Sequence, residues 1–362
     1  MAGLPFLNAF KKAVDKLDTV AVGVRSIENW ISTGAYVLNR RLSGDYLRGI
    51  PESRITLFAG PSGAGKSFIT NNIALSAQKA GQHIVILDSE ASLDTDYLKR
   101  IGLSLDENDL TYMSVTTIED VNAVMSEFFS NYKKAYGKNN KEAQKVTIII
   151  DSLAMLSSST EMENYASQGV IKGDQGQLSK RRKAMLRMIC GQINNYPITV
   201  LCTDHVYPQD PLKGDGEWAI TNSTKFSCSI IGVVTKLNLK EGGIQRGVRM
   251  RFSAYKSRFS LPGAKCELEI PFDTGMSSIT GLCEVLEADG VIAKGTQPGE
   301  KLKYICEYTN DAGEAVRIAF KESELTDEIA QELFKHPAAR PMIARDEPEF
   351  DLDAMDASKD EE

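Results

Sequence analysis

Eight consecutive residues, Gly60, Pro61, Ser62, Gly63, Ala64, Gly65, Lys66 and Ser67, have the types and order needed to hold a chain of phosphates. Glycines at 60, 63 and 65 let backbone amides close on an anion that side chains would keep away. Lys66 supplies a cation for the β- and γ-phosphates, and Ser67 a hydroxyl for Mg²⁺, at the start of a helix whose dipole favours negative charge. The apolar run 54–59 before the loop and the helix-compatible stretch 67–80 after it give the strand, loop and helix that this chemistry requires. ATP with Mg²⁺ is the cofactor pair implied.

Hydrolysis of a bound nucleotide also needs a carboxylate at the end of a neighbouring buried strand, to hold the metal's water shell. Asp151 ends such a strand after Val146 to Ile150. Its competing role is a helix N-cap. Glu90 closes a second strand that begins at His83, where a carboxylate orients and polarises an attacking water. By spacing alone Glu90 serves equally as a solvated strand end.

Positioning these groups takes a sheet. Apolar runs of strand length at 83–87, 146–150 and 198–202 alternate with helical stretches at 118–136 and 177–193, which predicts crossover units and a mostly parallel sheet with helices on both faces. After Lys225 come closely spaced alternating segments, 227–238, 247–258 and 266–272, that extend the same sheet. A glycine-bearing segment, 273–281, leads to a helix near 282–288, a hairpin about Asn310 to Gly313 and a helix near 325–335. The expected organisation is an N-terminal helical packing segment over 1–30, an α/β ATPase core over 31–280, a small α+β domain over 281–345 and an acidic tail over 346–362.

The net charge of −7 argues against a nucleic-acid partner when the chain is taken whole. Residues 346–362, however, hold nine acids and one lysine, which leaves the remainder close to neutral. Such a tail cannot bury enough apolar surface to fold, and a tethered polyanion competes with DNA for a cationic groove. If DNA is the partner, truncation after Arg345 is expected to tighten its binding or lower the free-Mg²⁺ requirement. Six cysteines stand singly in apolar segments with no CxxC pair, and read as buried reduced thiols. There is no run of eighteen apolar residues and no cleavable leader, so the cytoplasm is the expected setting and a membrane is not an expected partner. Phe6, Leu7, Phe10, Val14 and Leu17 recur at helical spacing, for packing on either a second protomer or the chain's own core.

From about 31 to 281 these residues resemble the RecA-type homologous recombinases, and within them the UvsX-like branch of the T-even phages. Ile31 to Gly34 with Leu38 and Asn39 is similar to the stretch leading into that family's ATPase core. Asp88-Ser89-Glu90, Leu93-Asp94 and Tyr97 resemble its pattern in which the glutamate activates water, the aspartate contacts the adenine and the tyrosine stacks on it. Tyr97 otherwise reads as an aromatic on an amphipathic helix. The resemblance implies a γ-phosphate sensor at His205, where bacterial members carry Gln and phage members His; the alternative is a polar strand end. Lys256 and Arg258 resemble the basic pair that reaches a neighbour's ATP. Two cations at i and i+2 share one face of a strand, where they either neutralise a γ-phosphate or protect a sheet edge.

Two loops are expected to touch DNA. The first, 157–177, carries Met162 and Tyr165 as wedges and Lys172 as a cation, and is followed by Lys180, Arg181, Lys183 and Arg187 on a helix. Those cations form either a phosphate track or a solvated helix face. The second, 206–224, carries Tyr207, Lys213 and Trp218 and ends at Lys225-Phe226. A tryptophan there stacks on bases without reading their sequence. Bacterial members have a Gly pair before the Lys-Phe, where this chain has Asn222-Ser223-Thr224.

The resemblance implies a RecA-like P-loop core and a single-stranded-DNA-dependent ATPase. Such a protein forms helical filaments on single-stranded DNA and pairs it with a homologous duplex, in recombination, repair and recombination-dependent replication. Its partners would be both DNAs and further copies of the chain, with a loading mediator and a single-strand-binding protein as auxiliaries, in the cytoplasm of a phage-infected bacterium. A ring-forming helicase-like motor, or a regulatory ATPase that does not act on DNA, would use the same core.

Overall fold

Parallel strands buried on both faces read as near-continuous apolar runs, and the segments 55–59, 84–88, 146–151 and 198–204 are buried throughout in this way. The computed structural model describes residues 5–15, 27–91, 93–169, 176–208, 218–219, 222–261, 263–273, 275–297 and 299–341. Helix α1 (Pro5–Asp15) is followed by β1 (Trp30–Ile31), α2 (Tyr36–Ser43), β2 (Ile50–Pro51), β3 (Ile55–Ala59) and α3 (Lys66–Lys79). Then come β4 (His83–Asp88), α4 (Thr95–Ile101), β5 (Leu110–Ser114), α5 (Ile118–Tyr136), β6 (Val146–Asp151), α6 (Ser159–Gln168), α7 (Gln177–Ile193) and β7 (Ile198–Asp204). Two short strands, β8 (Tyr207–Pro208) and β9 (Trp218–Ala219), precede α8 (Asn222–Lys225), the long hairpin of β10 (Ile230–Glu241) and β11 (Ile244–Ser257), and β12 (Lys265–Pro271). The C-terminal part holds α9 (Leu282–Ala288), β13 (Ala293–Lys294), β14 (Tyr304–Thr309), β15 (Ala315–Phe320) and α10 (Asp327–Leu333).

Eight strands make one sheet in the order β12-β11-β10-β3-β7-β6-β4-β5. Neighbours are parallel from β10 across to β5, and antiparallel at β10–β11 and β11–β12. This is the mostly parallel α/β sheet expected, and β13-β14-β15 form the small antiparallel sheet of the C-terminal part. Period-two alternation assigns each side chain to a layer. Phe58, Ile84, Ile86 and Leu201 pack with α2 and α3, whereas Leu57, Val85, Leu87 and Val200 pack with α5 and α7.

The layer on the α3 side continues into the C-terminal part, where Leu282, Leu286, Phe320 and Leu333 join it. A polar network fastens the same junction. Arg40, with no exposed side-chain surface, meets Asp289 Oδ2 at 2.7 Å. Tyr46 donates to the same oxygen at 2.8 Å and stacks on Phe334 at 4.6 Å.

Three segments depart from expectation for local reasons. Much of the first expected loop, 157–177, is helical, because Ser158 and Glu161 form a reciprocal capping box that starts α6. The strands expected at 227–238 and 247–258 approach each other until Gly242-Gly243 joins them, both glycines at positive φ as a tight hairpin turn requires. Thr326 caps α10 at Ile329 N–H, so that helix begins later than expected. Lys172, Lys213, residues 16–26 of the N-terminal segment and the tail 346–362 lie outside the described residues. No helix among the described residues is long and apolar enough to cross a membrane.

Candidate functional site

Parallel strands end at one edge of their sheet, so the residues that follow β3, β4, β6 and β7 meet there. Gly60 donates its N–H to the Asp204 carbonyl at 3.2 Å. A Cβ at Gly60 would strike the Val234 carbonyl, and Gly65, at φ 96°, takes the left-handed turn into α3. Buried Lys66 donates from Nζ to the Gly60 and Pro61 carbonyls, each at 3.0 Å. Burial lowers its pKa, against the opposing pull of Glu90, Asp151 and Asp204. Pro61, Ser62 and Ala64 complete the loop between β3 and α3.

Asp151 is 3% exposed. Its Oδ1 accepts from the Thr203 hydroxyl at 2.5 Å, and the Ser67 side chain also hydrogen-bonds it. Burial raises its pKa despite these bonds. A hydroxyl and a carboxylate are hard oxygen donors of the kind Mg²⁺ takes alongside phosphate and water, so Ser67 and Asp151 fit that ion.

Glu90 is presented by a strained turn. Asp88 Oδ1 accepts from the N–H groups of Glu90 at 2.8 Å and Ala91 at 2.9 Å. This holds Ala91 at φ 50°, a left-handed conformation that costs a non-glycine residue about 1 kcal/mol. Ser152 Oγ donates to Glu90 Oε1 at 2.7 Å. Ser89 Oγ in turn donates to the Ser152 carbonyl at 2.7 Å and accepts from its N–H at 2.8 Å. His205 Nε2 stands 3.6 Å from Glu90 Oε1. The strand ends thus bring Lys66, Ser67, Glu90, Asp151 and His205 together. Asp88, Ser152 and Thr203 are the supports that sequence reasoning passed over; their signal was a polar residue in or directly after an apolar strand.

Beside the loop opens a cavity of about 650 Å³, lined by Gly63, Gly65, Tyr97, Met250 and Phe272 among others. Its size suits a nucleoside between two aromatic walls. Tyr97 is half-buried, and burial raises its phenol pKa against a hydrogen bond to Asn71. Phe272 is 66% exposed. Asp94 stays exposed and caps α4 by accepting from Asp96 N–H at 3.2 Å. No spacing rule could have found Met250 or Phe272, which arrive from the far strands of the sheet.

The family model described as the RecA N-terminal domain matches residues 8–277. The chain belongs to the RecA family. Protein RecA of Helicobacter hepaticus is 26% identical over 356 residues, covering 95% of this chain and 96% of that one. Protein RecA of Corynebacterium glutamicum (strain R) is 26% identical over 294 residues, 79% of this chain and 72% of its own length. For Protein RecA of Sulfurimonas denitrificans the values are 27% over 256 residues, 68% and 67%.

In this RecA-family core, Lys256 and Arg258 stand away from their own phosphate loop. Ile231 pairs with both Leu57 and Lys256, so Lys256 is level with Leu57, and Arg258 lies farther from the loop still. At ~3.3 Å per residue and ~4.8 Å per strand, both backbones are more than ~10 Å from Gly60. Lys256 Nζ donates to the carbonyls of Lys225 at 2.6 Å and Cys228 at 2.8 Å. Burial lowers its pKa, with Arg258 adding to the effect. Arg258 is exposed and forms no ion pair among the described residues.

The expected DNA-contacting residues divide. Lys180, Lys183 and Arg187 are exposed along one face of α7, and Lys183 lies over the Phe226 ring at 5.6 Å. Arg181 instead pairs with Glu119 at 2.6 Å and ties α7 to α5. Met162 is 41% and Tyr165 58% exposed on α6. The neck of the second loop is closed by the pairs Tyr207–Ala219 and Pro208–Trp218, which fix the backbone of Trp218. Lys225 lies over the Tyr255 ring at 5.2 Å, and Phe226 is 72% exposed.

Proposed function

We propose that this RecA-family protein is a single-stranded-DNA-dependent ATPase that assembles as a helical filament on single-stranded DNA and pairs it with a homologous duplex, in recombination, repair and recombination-dependent replication. One observation carries this reading: a full set of phosphate, metal and water-activating groups in one protomer, beside two cations, Lys256 and Arg258, whose strand register keeps them from that protomer's own loop. A neighbour's γ-phosphate is the charge they would neutralise, so hydrolysis requires a polymer.

Within the site, Lys66 and the loop amides bind the phosphates, and Tyr97, Asp94 and Phe272 hold the adenine. Ser67 and Asp151 would hold Mg²⁺, which would supply positive charge against that developing between the β- and γ-phosphates. Glu90, steadied by Ser152, orients water and takes its proton, and His205 senses the γ-phosphate through its closeness to Glu90. The exposed faces of Phe6 and Phe10 on α1 join protomers. Lys180, Lys183 and Arg187 follow the DNA backbone, joined by Met162 on α6, Trp218 in β9, Lys225 at the end of α8, and Lys172 and Lys213. His205 in place of Gln favours the UvsX-like branch, and with it a phage-infected bacterial cytoplasm.

The test is the ATPase rate with and without single-stranded DNA. The expected result is stimulation of about tenfold or more, rising with protein concentration and lost in Lys66→Ala. A rate indifferent to DNA would instead identify a regulatory ATPase.

A further inference from the structure

We propose that Lys236 is a second phosphate-binding cation of the nucleotide site, acting within its own protomer; the inference rests on the nucleotide reading above. Strand β10 pairs with β3 as far as Val233 opposite Ala59 and then continues, so residues 234–236 stand beside the phosphate loop. Contacts along the loop show this placement. The Val234 carbonyl is what a Cβ at Gly60 would strike, and Lys236 Nζ lies 3.2 Å from the place a Cβ at Gly63 would take. Met250, the cross-strand partner of Lys236, sets its methyl against Gly65.

Val234 packs into the core on the α3 side, and Lys236, two residues on, shares that face. The β10–β11 hairpin therefore forms a wall of the loop with its ammonium at the middle glycine. Lys236 is exposed and has no hydrogen bond or ion pair among the described residues, so its charge is uncommitted.

The two lysines approach from different sides. Lys66 sits among Glu90, Asp151 and Asp204, where the terminal phosphate reacts. Lys236 comes in beside Gly63 and Met250, which line the nucleoside cavity. It therefore meets the phosphates that ADP and ATP share, and sets affinity for both without entering the chemical step. Gly63 serves this role twice, since it takes φ 66° and leaves room for the ammonium.

The experiment compares full-length wild type, Lys236→Met and Lys236→Arg in competition binding against a fluorescent ADP, at low and high salt, with ATP, ADP and adenosine as competitors. The methionine variant should bind ATP and ADP about tenfold more weakly, as for loss of one charge-assisted contact, with adenosine unaffected. Its KM for ATP should rise while kcat stays within about twofold. Arginine should restore most of the affinity, and high salt should narrow the gap. Unchanged ATP and ADP affinity in Lys236→Met, with a wild type that binds both, would overturn the proposal, as would an equal loss for adenosine. A wild type that binds neither nucleotide would overturn the reading of the whole site.

Discussion

The ammonium of Lys256 donates to the backbone carbonyl of Lys225 at 2.6 Å and to that of Cys228 at 2.8 Å. One cation thus ties β11 to the segment that follows the second loop expected to touch DNA. To serve a neighbour's nucleotide it must leave these carbonyls, and α8 then loses its tie. Lys256→Met is expected to speed amide exchange over 222–228 in the free protomer by about tenfold and to lower DNA-stimulated hydrolysis by about a hundredfold. Hydrogen exchange read by mass spectrometry checks the first effect and a coupled ATPase assay the second. Unchanged exchange would detach Lys256 from the loop.

Ser152 and Glu90 separate support from chemistry. Ser152→Ala removes the 2.7 Å donor to Glu90 and should lower kcat about tenfold with little change in KM. Glu90→Gln removes the carboxylate proposed as the base and should cost about a hundredfold or more. Equal losses in the two variants, by steady-state kinetics on DNA, would contradict this division.

The thiols make a pH prediction. Burial raises Cys202, pushes Cys228, Cys266 and Cys283 up to about 12 and Cys306 up to about 11. In the unfolded chain these groups ionise near ~8.5, so above that pH the folded state holds more protons and stability falls as pH rises. Tm should decline between about pH 8 and 10. A chromogenic disulfide reagent at about pH 8 should find one fast thiol, the half-buried Cys190, and all six in denaturant. Several fast thiols in the native protein would contradict the burial described.

Arg40→Ala would remove the 2.7 Å partner of half-buried Asp289 and leave it only the longer ion pair with Arg41 at 3.8 Å, with an expected loss of about 3 kcal/mol in urea denaturation. A loss under about 1 kcal/mol would mean that the junction with the C-terminal part does not depend on this pair.

Legibility in the sequence followed burial. The runs 146–150 and 198–202 were readable because central parallel strands are apolar on both faces. Strand β5 was not, since at the sheet edge Thr111, Tyr112 and Ser114 are exposed and break the pattern. For the same reason the expected end of β10 fell at Asn238, in its exposed outer half. Polar composition concealed α6, whose start depends on the Ser158–Glu161 cap. Within the site, Lys66, Ser67 and Asp151 were expected from their places beside strand ends, whereas Glu90 read equally as a solvated strand end until the family resemblance was added. Lys236, Met250 and Phe272 belong to the site because β10 lies beside β3, a neighbour relation that residue spacing does not encode. Arg181 looked like its neighbours in sequence, and its pairing with Glu119 became visible once α5 and α7 were packed together.

The most direct test of the central claim is negative-stain electron microscopy of the protein with single-stranded DNA and a non-hydrolysable ATP analogue, beside Lys66→Ala. Regular helical filaments that need both ligands and vanish in the variant are the predicted result. Closed rings, or no assembly that depends on DNA, would contradict it.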